Sequence, residues 1–266
     1  MTFLKNMTTA LITGASTGIG AVFAEQLAEQ GHDLVLVARS QDKLQAIADQ
    51  LVSTYEINAT VIVQDLLTEG AATHIFNRLD AQGIDLDLLV NNAGFGTYGE
   101  LADGDLQTYL NMIQLNVSVL VDLTYKALLG MKQRRSGSIV NISSTAAFQP
   151  IPYFAVYAAT KAFVLSFSEA LWYECQPHGV KVLGGCPGPT ETQFFKTAEF
   201  PDTMASPPGQ SLTAPEEVVK EALKALAQGQ SNVVTGGLSN QILVNASRFI
   251  PREMLTKAVG DMFKVD

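Results

Sequence analysis

The sequence is poor in charged residues, which account for 16% of its 266 positions, whereas globular domains average about 25%. Hydrophobic residues make up 47%, so a large core can form and a disordered chain is excluded. Basic residues are scarcer than acidic ones, 17 against 26, and the net charge is -9. Binding to nucleic-acid phosphates requires clustered lysine and arginine. Because the sequence has no such cluster, we expect no nucleic-acid partner.

Cysteine, histidine and long apolar runs are also scarce. Two cysteines, Cys175 and Cys186, are too few for a disulfide scaffold and indicate a reducing compartment. No unbroken apolar stretch reaches the roughly 20 residues of a membrane helix, and Lys5 and Asn6 interrupt any apolar signal segment. The three histidines and two cysteines lack metal-ligand spacing. We therefore expect a cytoplasmic protein with no membrane association and no metal.

Short runs rich in valine, isoleucine and leucine alternate with segments of helical periodicity, a pattern typical of βαβ units that build a parallel sheet. Strands are predicted at Leu11–Thr13, Asp33–Ala38, Ala59–Gln64, Leu86–Val90, Ser138–Ser143, Val180–Gly184 and Val233–Thr235. Helices are predicted at Ala21–Gln30, Gln41–Tyr55, Thr68–Gln82, Asp105–Arg134, Ala155–Gln176 and Pro215–Gln228. No linker or repeat divides the chain, so residues 1–266 are predicted to form one α/β domain.

Two segments depart from this alternation. Residues 187–214 contain five prolines, and an irregular stretch of this length is usually functional, so we interpret it as a substrate lid. Residues 239–266 form a C-terminal extension, in which apolar residues recur at helical spacing after Pro251. An amphipathic helix that packs on the body of the protein is predicted there.

A glycine-rich turn over residues 13–20 lies between the first predicted strand and a helix. Glycines allow the backbone to turn tightly and to approach a pyrophosphate closely, while the free N–H groups of the helix N-terminus attract the anion. The residues predicted to form this phosphate site are Gly14, Ser16, Gly18, Ile19 and Gly20. Strand, turn and helix together favour a dinucleotide.

The same turn contains Gly14-x-Ser16-x-Gly18, the spacing of the nucleophile elbow of α/β-hydrolases. A hydrolase of that type needs a downstream acid followed by a histidine. The available histidines are His32, His74 and His178, and each occupies a position typical of a surface residue. A serine hydrolase is therefore the remote alternative.

Tyr157 and Lys161 are four residues apart in a predicted helix, so their side chains emerge on one face. A free tyrosine has a pKa near 10 and is a poor base at neutral pH, but a nearby ammonium favours the phenolate. The pair therefore predicts an acid/base group, although a solvated helix pair has the same spacing.

Several motifs together identify a family. The glycine turn, Asn91-Asn92-Ala93-Gly94, Ser144, the Tyr157-x-x-x-Lys161 pair and Pro187-Gly188 with Thr192 resemble the short-chain dehydrogenase/reductase family. The resemblance covers residues 8–195 and implies a doubly wound parallel sheet of the Rossmann type, which agrees with the alternation of strands and helices. The extended C-terminus resembles a branch of the family whose substrates are mostly unassigned.

The resemblance implies four catalytic residues. Tyr157 would exchange a proton with the substrate oxygen, and Lys161 would lower the pKa of Tyr157 and bind the nicotinamide ribose. Ser144 would orient and polarise the substrate oxygen, at the point where negative charge develops. Asn116 would support a water-linked proton path to the lysine, although a buried asparagine that pairs with backbone is the plain alternative.

The resemblance also implies the remaining cofactor contacts. Asp65 would bind the adenine, or else act as a helix cap. The other cofactor-binding residues it implies are Asn91, Gly94, Pro187, Gly188 and Thr192. Members of the family commonly form dimers or tetramers through their long fourth and fifth helices, so a homo-oligomer is expected.

The end of the second strand favours NADP(H) over NAD(H). NAD-dependent Rossmann proteins usually carry an acid there, which binds the ribose hydroxyls and repels a 2′-phosphate. Here Ala38 takes that position, and Arg39 beside it offers a planar cation suited to phosphate. Phenylalanines flank the catalytic motifs and populate the lid, so we expect an apolar ketone or secondary alcohol as substrate. The alternative is a catalytically silent NADP-binding regulatory protein.

Overall fold

The computed structural model describes residues 8–201, 212–246 and 249–264. In that part of the chain, parallel strands form one sheet in the order β3-β2-β1-β4-β5-β6-β7. The strands are β1 (Thr9–Thr13), β2 (Asp33–Ala38), β3 (Ala59–Val63), β4 (Leu88–Asn91), β5 (Gly137–Ile142), β6 (Val180–Pro187) and β7 (Asn232–Thr235). The predicted doubly wound Rossmann sheet is confirmed, with strand ends shifted by a few residues.

Helices cover both faces of the sheet. They are α1 (Gly18–Glu29), α2 (Gln41–Tyr55), α3 (Ala71–Ala81), α4 (Leu106–Ile113), α5 (Leu120–Arg134), α6 (Ala155–Cys175), α7 (Phe194–Thr197), α8 (Pro215–Ala227), α9 (Leu238–Ala246) and α10 (Arg252–Phe263). Side chains alternate across each strand, so in β1 Ala10 and Ile12 pack with α1 and α2 while Leu11 packs with α3 and α5. Because both faces are buried, the strands are mostly apolar, and polar residues within them such as Asn91 and Asn141 pair with one another.

The sheet order places the functional motifs together. β1 lies between β2 and β4, so the chain reverses its winding direction between β1 and β4. Ligands of doubly wound sheets bind beyond the carboxyl ends of the strands at such a switch point. The turns that follow β1, β4, β5 and β6 all meet at this edge of the sheet.

The long helix predicted at Asp105–Arg134 contains an internal irregularity. α4 and α5 are joined by a π-helical segment, Gln114–Val119, which contains Asn116. Such segments often occur at functional sites. By length and composition alone, the stretch Leu106–Arg134 could cross a membrane. Of its most apolar 18-residue section, 39% is buried inside the molecule. Its buried side, including Leu123 and Met131, packs on the sheet as a core helix does.

The C-terminal third is more helical than predicted. Within the expected lid, α7 forms at Phe194–Thr197, and residues 202–211 of the lid lie outside the described residues. α9, which begins directly after Gly237, was not predicted. The predicted terminal helix is present as α10, and it buries Val259 and Phe263 while Met254 stays 63% exposed. Residues 247–248 and 265–266 of the predicted extension also fall outside the described part.

Candidate active site

One cavity of about 830 Å³ lies at the carboxyl edge of the sheet. Most of the sequence-predicted site residues line it: Gly14, Ser16, Gly18, Ile19, Arg39, Asp65, Gly94, Ser144, Tyr157, Lys161, Pro187, Gly188 and Thr192. Three predicted residues do not line it, namely Gly20, Asn91 and Asn116. The cavity therefore joins motifs that are up to about 180 positions apart in the sequence into one site.

The glycine turn fits a pyrophosphate. Gly14 and Gly18 adopt positive φ angles of 65° and 55°, which glycine adopts without steric cost. A Cβ atom on Gly20 would lie 2.2 Å from the Gly14 carbonyl oxygen, so only glycine allows this close backbone approach. α1 begins in the turn, and its N-terminus has neither a side-chain cap from Thr17 nor an acid in the first turn. The N–H groups there can bind an anion.

Asn92 braces this turn, a role that the sequence analysis missed. Its Nδ2 donates hydrogen bonds to the carbonyl oxygens of Thr13 (2.9 Å) and Gly14 (3.3 Å). In return, the Thr13 hydroxyl oxygen accepts from the N–H groups of Asn92 and Ala93, at 3.0 Å each. The turns after β1 and β4 are thereby fixed to one another.

Asn91 was predicted to line the nucleotide site, and the structure does not support that position. Asn91 is the last residue of β4, and its side chain points into the sheet layer, where it is only 4% exposed. Its amide donates to Thr124 Oγ1 and Asn141 Oδ1, both at 2.9 Å. Because successive side chains along a strand point in opposite directions, the side chains of Asn91 and Asn92 diverge, and only that of Asn92 reaches the cavity.

Ser144, Tyr157 and Lys161 line the cavity together. Ser144 lies two residues after the end of β5, and its hydroxyl is close enough to the Tyr157 phenol to share a hydrogen bond with it. Tyr157 is the third residue of α6, and Lys161 lies one turn further on the same face. The Lys161 ammonium donates to the Ile142 carbonyl oxygen at 2.9 Å and lies 5.6 Å from the centre of the Tyr157 ring. A phenol, a hydroxyl and an ammonium thus share one small volume.

Burial controls the protonation of this group. It raises the pKa of Tyr157 well above its usual value, and the hydrogen bond from Ser144 only partly offsets that increase. It also lowers the pKa of Lys161 to about 8, opposed by the nearby Cys186. We expected the ammonium to lower the pKa of the phenol. In the chain alone, desolvation of the phenolate outweighs that attraction, so Tyr157 is protonated at neutral pH.

Asn116 supports the site from behind. Its amide donates to the Phe95 carbonyl oxygen (2.9 Å) and Thr160 Oγ1 (3.1 Å), and its oxygen accepts from the Phe95 N–H (3.1 Å). A Cβ atom on Gly94 would lie 2.8 Å from Asn116 Oδ1 and 3.6 Å from Lys161 Nζ. Asn116 therefore positions the β4 turn beside Lys161, and its place in a proton path stays a prediction.

The far end of the groove carries two cations. Arg39 and Ser40 line the cavity where β2 ends, and Lys43 of α2, which the sequence analysis missed, lines it with them. Asp65 lies at the same end, where its carboxylate accepts the Leu67 N–H at 3.0 Å. Since α3 begins only after Gly70, Asp65 is not its helix cap. We refer to this end, from the glycine turn to Lys43 and Asp65, as the nucleotide half.

The turn after β6 closes the groove. Thr192 lies against the glycine turn, since a Cβ atom on Gly18 would be 3.2 Å from Thr192 Cγ2. Gly188 is held from α9 by Asn240, whose Nδ2 would be 2.1 Å from a Cβ atom on that glycine. Asn240 donates to the Thr235 and Gly236 carbonyl oxygens at 3.0 Å each. Sequence reasoning missed Asn240, because α9 itself was not predicted.

The other end of the cavity is apolar, and we refer to it as the substrate half. Its lining includes Phe95, Ile151, Phe154, Phe194, Phe195, Phe200, Leu243 and Phe263. Phe148 and Tyr153, which lie between Ser144 and Tyr157 in the sequence, do not line it, whereas Leu243 and Phe263 come from the C-terminal extension. Tyr157 stands at its inner end, stacked on Phe154 at 4.4 Å between ring centres.

The hydrolase alternative lacks its base in this arrangement. Ser16 lines the cavity, but His32, His74 and His178 are not among the lining residues. His32 instead contacts the Thr8 hydroxyl at 2.7 Å, and His74 contacts Gln64. Ser16 therefore belongs to the glycine turn of the nucleotide half, and none of the three histidines, all of which lie in the described part of the chain, is placed to activate it as a hydrolase nucleophile.

A family model described as short chain dehydrogenase matches residues 8–201. The chain belongs to the short-chain dehydrogenase family. It is thus an oxidoreductase of the class that uses nicotinamide dinucleotides on CH–OH or keto groups. The matched residues include the whole nucleotide half together with Ser144, Tyr157 and Lys161.

Three similar proteins extend this comparison. The chain is 32% identical to mouse 17-beta-hydroxysteroid dehydrogenase type 3, covering 98% of this chain and 82% of the relative. It is 32% identical to human very-long-chain 3-oxoacyl-CoA reductase, covering 96% and 79% respectively. A solved short-chain dehydrogenase from Sphingobium yanoikuyae in complex with NADPH superposes with a TM-score of 0.81 at 31% identity, covering 91% of this chain and 94% of that one.

Proposed function

We propose that this dehydrogenase is an NADP(H)-dependent reductase of apolar ketones that also oxidises the corresponding secondary alcohols. One observation carries the proposal: Ser144, Tyr157 and Lys161 line a single cavity whose one end is a glycine-rich anion site and whose other end is aromatic. A carbonyl at this junction contacts the proton donor while its apolar body occupies the substrate half.

The chain's own residues provide the acid for such a reduction. When bound, a reduced nicotinamide supplies hydride to the carbonyl carbon. Tyr157 donates its phenolic proton to the carbonyl oxygen, so the ketone gains one hydride and one proton and becomes an alcohol. Ser144 donates a hydrogen bond to the same oxygen as charge develops on it. The raised pKa of Tyr157 keeps the phenol protonated, as this direction requires.

The choice of NADP(H) is supported by charge. Arg39 and Lys43 line the nucleotide half together, and Ser40 between them adds a hydroxyl. The buried residue at the end of β2 is Ala38, so no carboxylate stands where it would repel a 2′-phosphate. A guanidinium and an ammonium can both bind a phosphate dianion. The NADPH complex of the bacterial neighbour agrees with this choice.

The preference for apolar substrates is supported by the lining of the substrate half. Several rings line it, and among the described residues that line the cavity outside the nucleotide half, Lys161 is the only one with a charged side chain. A charged or strongly hydrated substrate would lose its hydration there without compensation. The two relatives are named for a hydroxysteroid and for a very-long-chain 3-oxoacyl-CoA, and the steroid body and the long acyl chain are apolar, although coenzyme A itself is charged.

A homo-oligomer is part of the proposal. Leu106, Leu110 and Ile113 follow one face of α4, and each is at least 43% exposed, as is Phe163 of the adjacent α6. Exposed apolar side chains at helical spacing favour burial against a second copy. Sedimentation equilibrium should therefore give a dimer or tetramer, and a monomer at micromolar concentration would contradict this part of the proposal.

The proposal is tested by steady-state kinetics on a panel of ketones, aldehydes and alcohols with each cofactor. The expected result is turnover with bulky or long apolar ketones and a higher kcat/KM with NADPH than with NADH. Tight binding of NADPH without turnover across the panel would instead favour the regulatory protein. Better turnover of short polyols or sugar acids would contradict the apolar assignment.

A further inference from the structure

The C-terminal helix α10 forms part of the substrate half. Its last residue, Phe263, is 6% exposed and lines the cavity, and Val259 one turn earlier is equally buried. Between them, Gly260 lies against the segment that leads into α6, because a Cβ atom there would be 3.1 Å from Pro152 Cγ. The helix is therefore packed on the loop that positions the catalytic tyrosine.

A continuous series of ring contacts connects Phe263 to Tyr157. The rings of Tyr157 and Phe194 are 5.2 Å apart, and Phe195 follows at 5.7 Å. Phe200 lies 5.3 Å from Phe195, and Phe263 lies 6.3 Å from Phe200. All five rings line the same cavity. Phe263 thus stands at the end of the aromatic wall, farthest along the series from the proton donor.

Tyr98 fixes this end of the wall. Its phenol donates a hydrogen bond to the Phe263 carbonyl oxygen. That oxygen belongs to the last residue of α10, where a helix has no intrahelical donor left for its carbonyls. Burial raises the pKa of Tyr98, so the phenol stays protonated and able to donate.

The backbone and the ring of Tyr98 also contact the lid and the loop that leads into α6. Its N–H donates to the Ala198 carbonyl oxygen beside α7, at 2.9 Å, and the next residue donates to the Tyr153 carbonyl oxygen at 2.8 Å. Its ring lies 4.9 Å from Phe200 and 6.1 Å from Tyr153. Tyr153 itself has a positive φ of 63°, a conformation that persists only when its surroundings hold it. The lid, the catalytic loop and α10 are all attached at Tyr98.

We propose that Phe263 is the residue that limits the length of the substrate, and that Tyr98 is the positioning residue that holds Phe263 in the cavity wall. The proposal rests on the proposed function for the nature of the substrate. An apolar chain that extends from the carbonyl at Tyr157 along the aromatic wall meets the Phe263 ring. Chains up to that length gain contact with the wall, and longer chains must displace α10.

The length limit is measured by calorimetric binding of a homologous series of straight-chain methyl ketones to the NADP⁺-saturated protein, which cannot reduce them. Affinity should rise by about fourfold for each added methylene until the chain reaches Phe263, and then stop rising. In Phe263→Ala and in the milder Phe263→Leu, the rise should continue to longer chains. Met262→Ala is the matched control, since Met262 is on the same helix and 43% exposed.

The positioning role is measured by hydrogen exchange of the α10 amides. Tyr98→Phe removes the hydroxyl alone, and it should speed exchange in α10 by about tenfold while extending the chain-length limit. Tyr173→Phe is the matched control, because its side chain is 73% exposed. Unchanged exchange in Tyr98→Phe, or the same limit in wild type and both Phe263 variants, would overturn the proposal.

These readouts do not require turnover. If no ketone is reduced but the length series still breaks at Phe263, the proposed function fails and the length limit stands. If ketones are reduced and the Phe263 variants keep the wild-type chain-length limit, the proposed function stands and the length limit at Phe263 fails.

Discussion

The two halves of the cavity differ in the groups that form them, which are mainly backbone groups in one half and aromatic side chains in the other. In the nucleotide half the decisive groups belong to the main chain: the positive φ angles of Gly14 and Gly18, the close approach at Gly20 and the uncapped N-terminus of α1. In the substrate half they are rings contributed by the β4 turn, α6, the lid and α10. A side chain added to the first half blocks the site, whereas a side chain changed in the second half alters its size. The first half therefore specifies one ligand type, and the second can be adapted to different substrates.

The largest expected effect lies at the junction and leaves both halves intact. Tyr157→Phe removes the transferable proton but keeps the ring that stacks on Phe154. We expect kcat to fall by about 10³-fold, with the dissociation constants of NADPH and of an apolar ketone changed by no more than a few fold. Stopped-flow kinetics and cofactor-fluorescence titration measure these quantities. Activity near the wild-type level would exclude Tyr157 as the acid.

The buried ammonium of Lys161, which lies beside Tyr157, lowers the stability of the folded protein. Its folded pKa of about 8 lies below the usual 10.5, so the ammonium is lost, and activity falls, as pH rises through about 8. The unfolded chain binds more protons between pH 8 and 10.5, so stability rises with pH over that window. Lys161→Met should lower kcat by about 10²-fold. It should also raise the free energy of unfolding at pH 7 by about 2 kcal/mol, because removal of the buried charge stabilises the fold by more than the lost hydrogen bond to Ile142 destabilises it.

Urea unfolding of the nucleotide-free protein at pH 7 and pH 10 checks the stability part. The gain in Lys161→Met should shrink at the higher pH, since wild-type Lys161 is then neutral. Lys220→Met, at an exposed position of α8, is the control. An equal gain at both pH values would show that the buried charge is not the cause.

A change confined to the nucleotide half should separate the two cofactors. Arg39→Ala and Lys43→Ala each remove one cation near the expected 2′-phosphate. We expect Arg39→Ala to weaken NADPH binding by about 30-fold and Lys43→Ala by less, with NADH binding and ketone affinity unchanged. Titrations at low and high salt provide the measurement. Equal losses for NADPH and NADH would contradict a contact to the 2′-phosphate.

The smallest expected effect is confined to the substrate half. Phe194 lies 5.2 Å from the Tyr157 ring and 6.4 Å from Phe154. Phe194→Ala should raise KM for a bulky ketone by about fivefold, from the lost apolar contact, and leave the affinity for NADPH unchanged. Competitive titration with NADPH provides the control. A matching loss of NADPH affinity would show that the two halves are not independent.

The halves also differ in how far the sequence predicts them. The nucleotide half follows from local backbone requirements, so its glycine turn and Arg39 could be predicted from the residues themselves, whereas Asp65 was implied only by the family resemblance. Asn91 was misplaced because the side-chain alternation of β4 depends on where the strand ends. The substrate half depends on which rings meet across α6, the lid and α10, and local spacing does not encode such contacts. Phe263 and Leu243 were missed for that reason, although the helix that carries Phe263 was predicted.

The central claim is that Tyr157 protonates a ketone held in the substrate half while hydride arrives from a nucleotide held in the other half. The most direct test uses NADPH that carries deuterium at the transferable C4 position, a bulky apolar ketone and mass spectrometry of the product. We predict an alcohol with one deuterium on its carbinol carbon in wild type, and almost none in Tyr157→Phe under the same conditions. Bound NADPH with no deuterium transferred to any ketone would contradict the account.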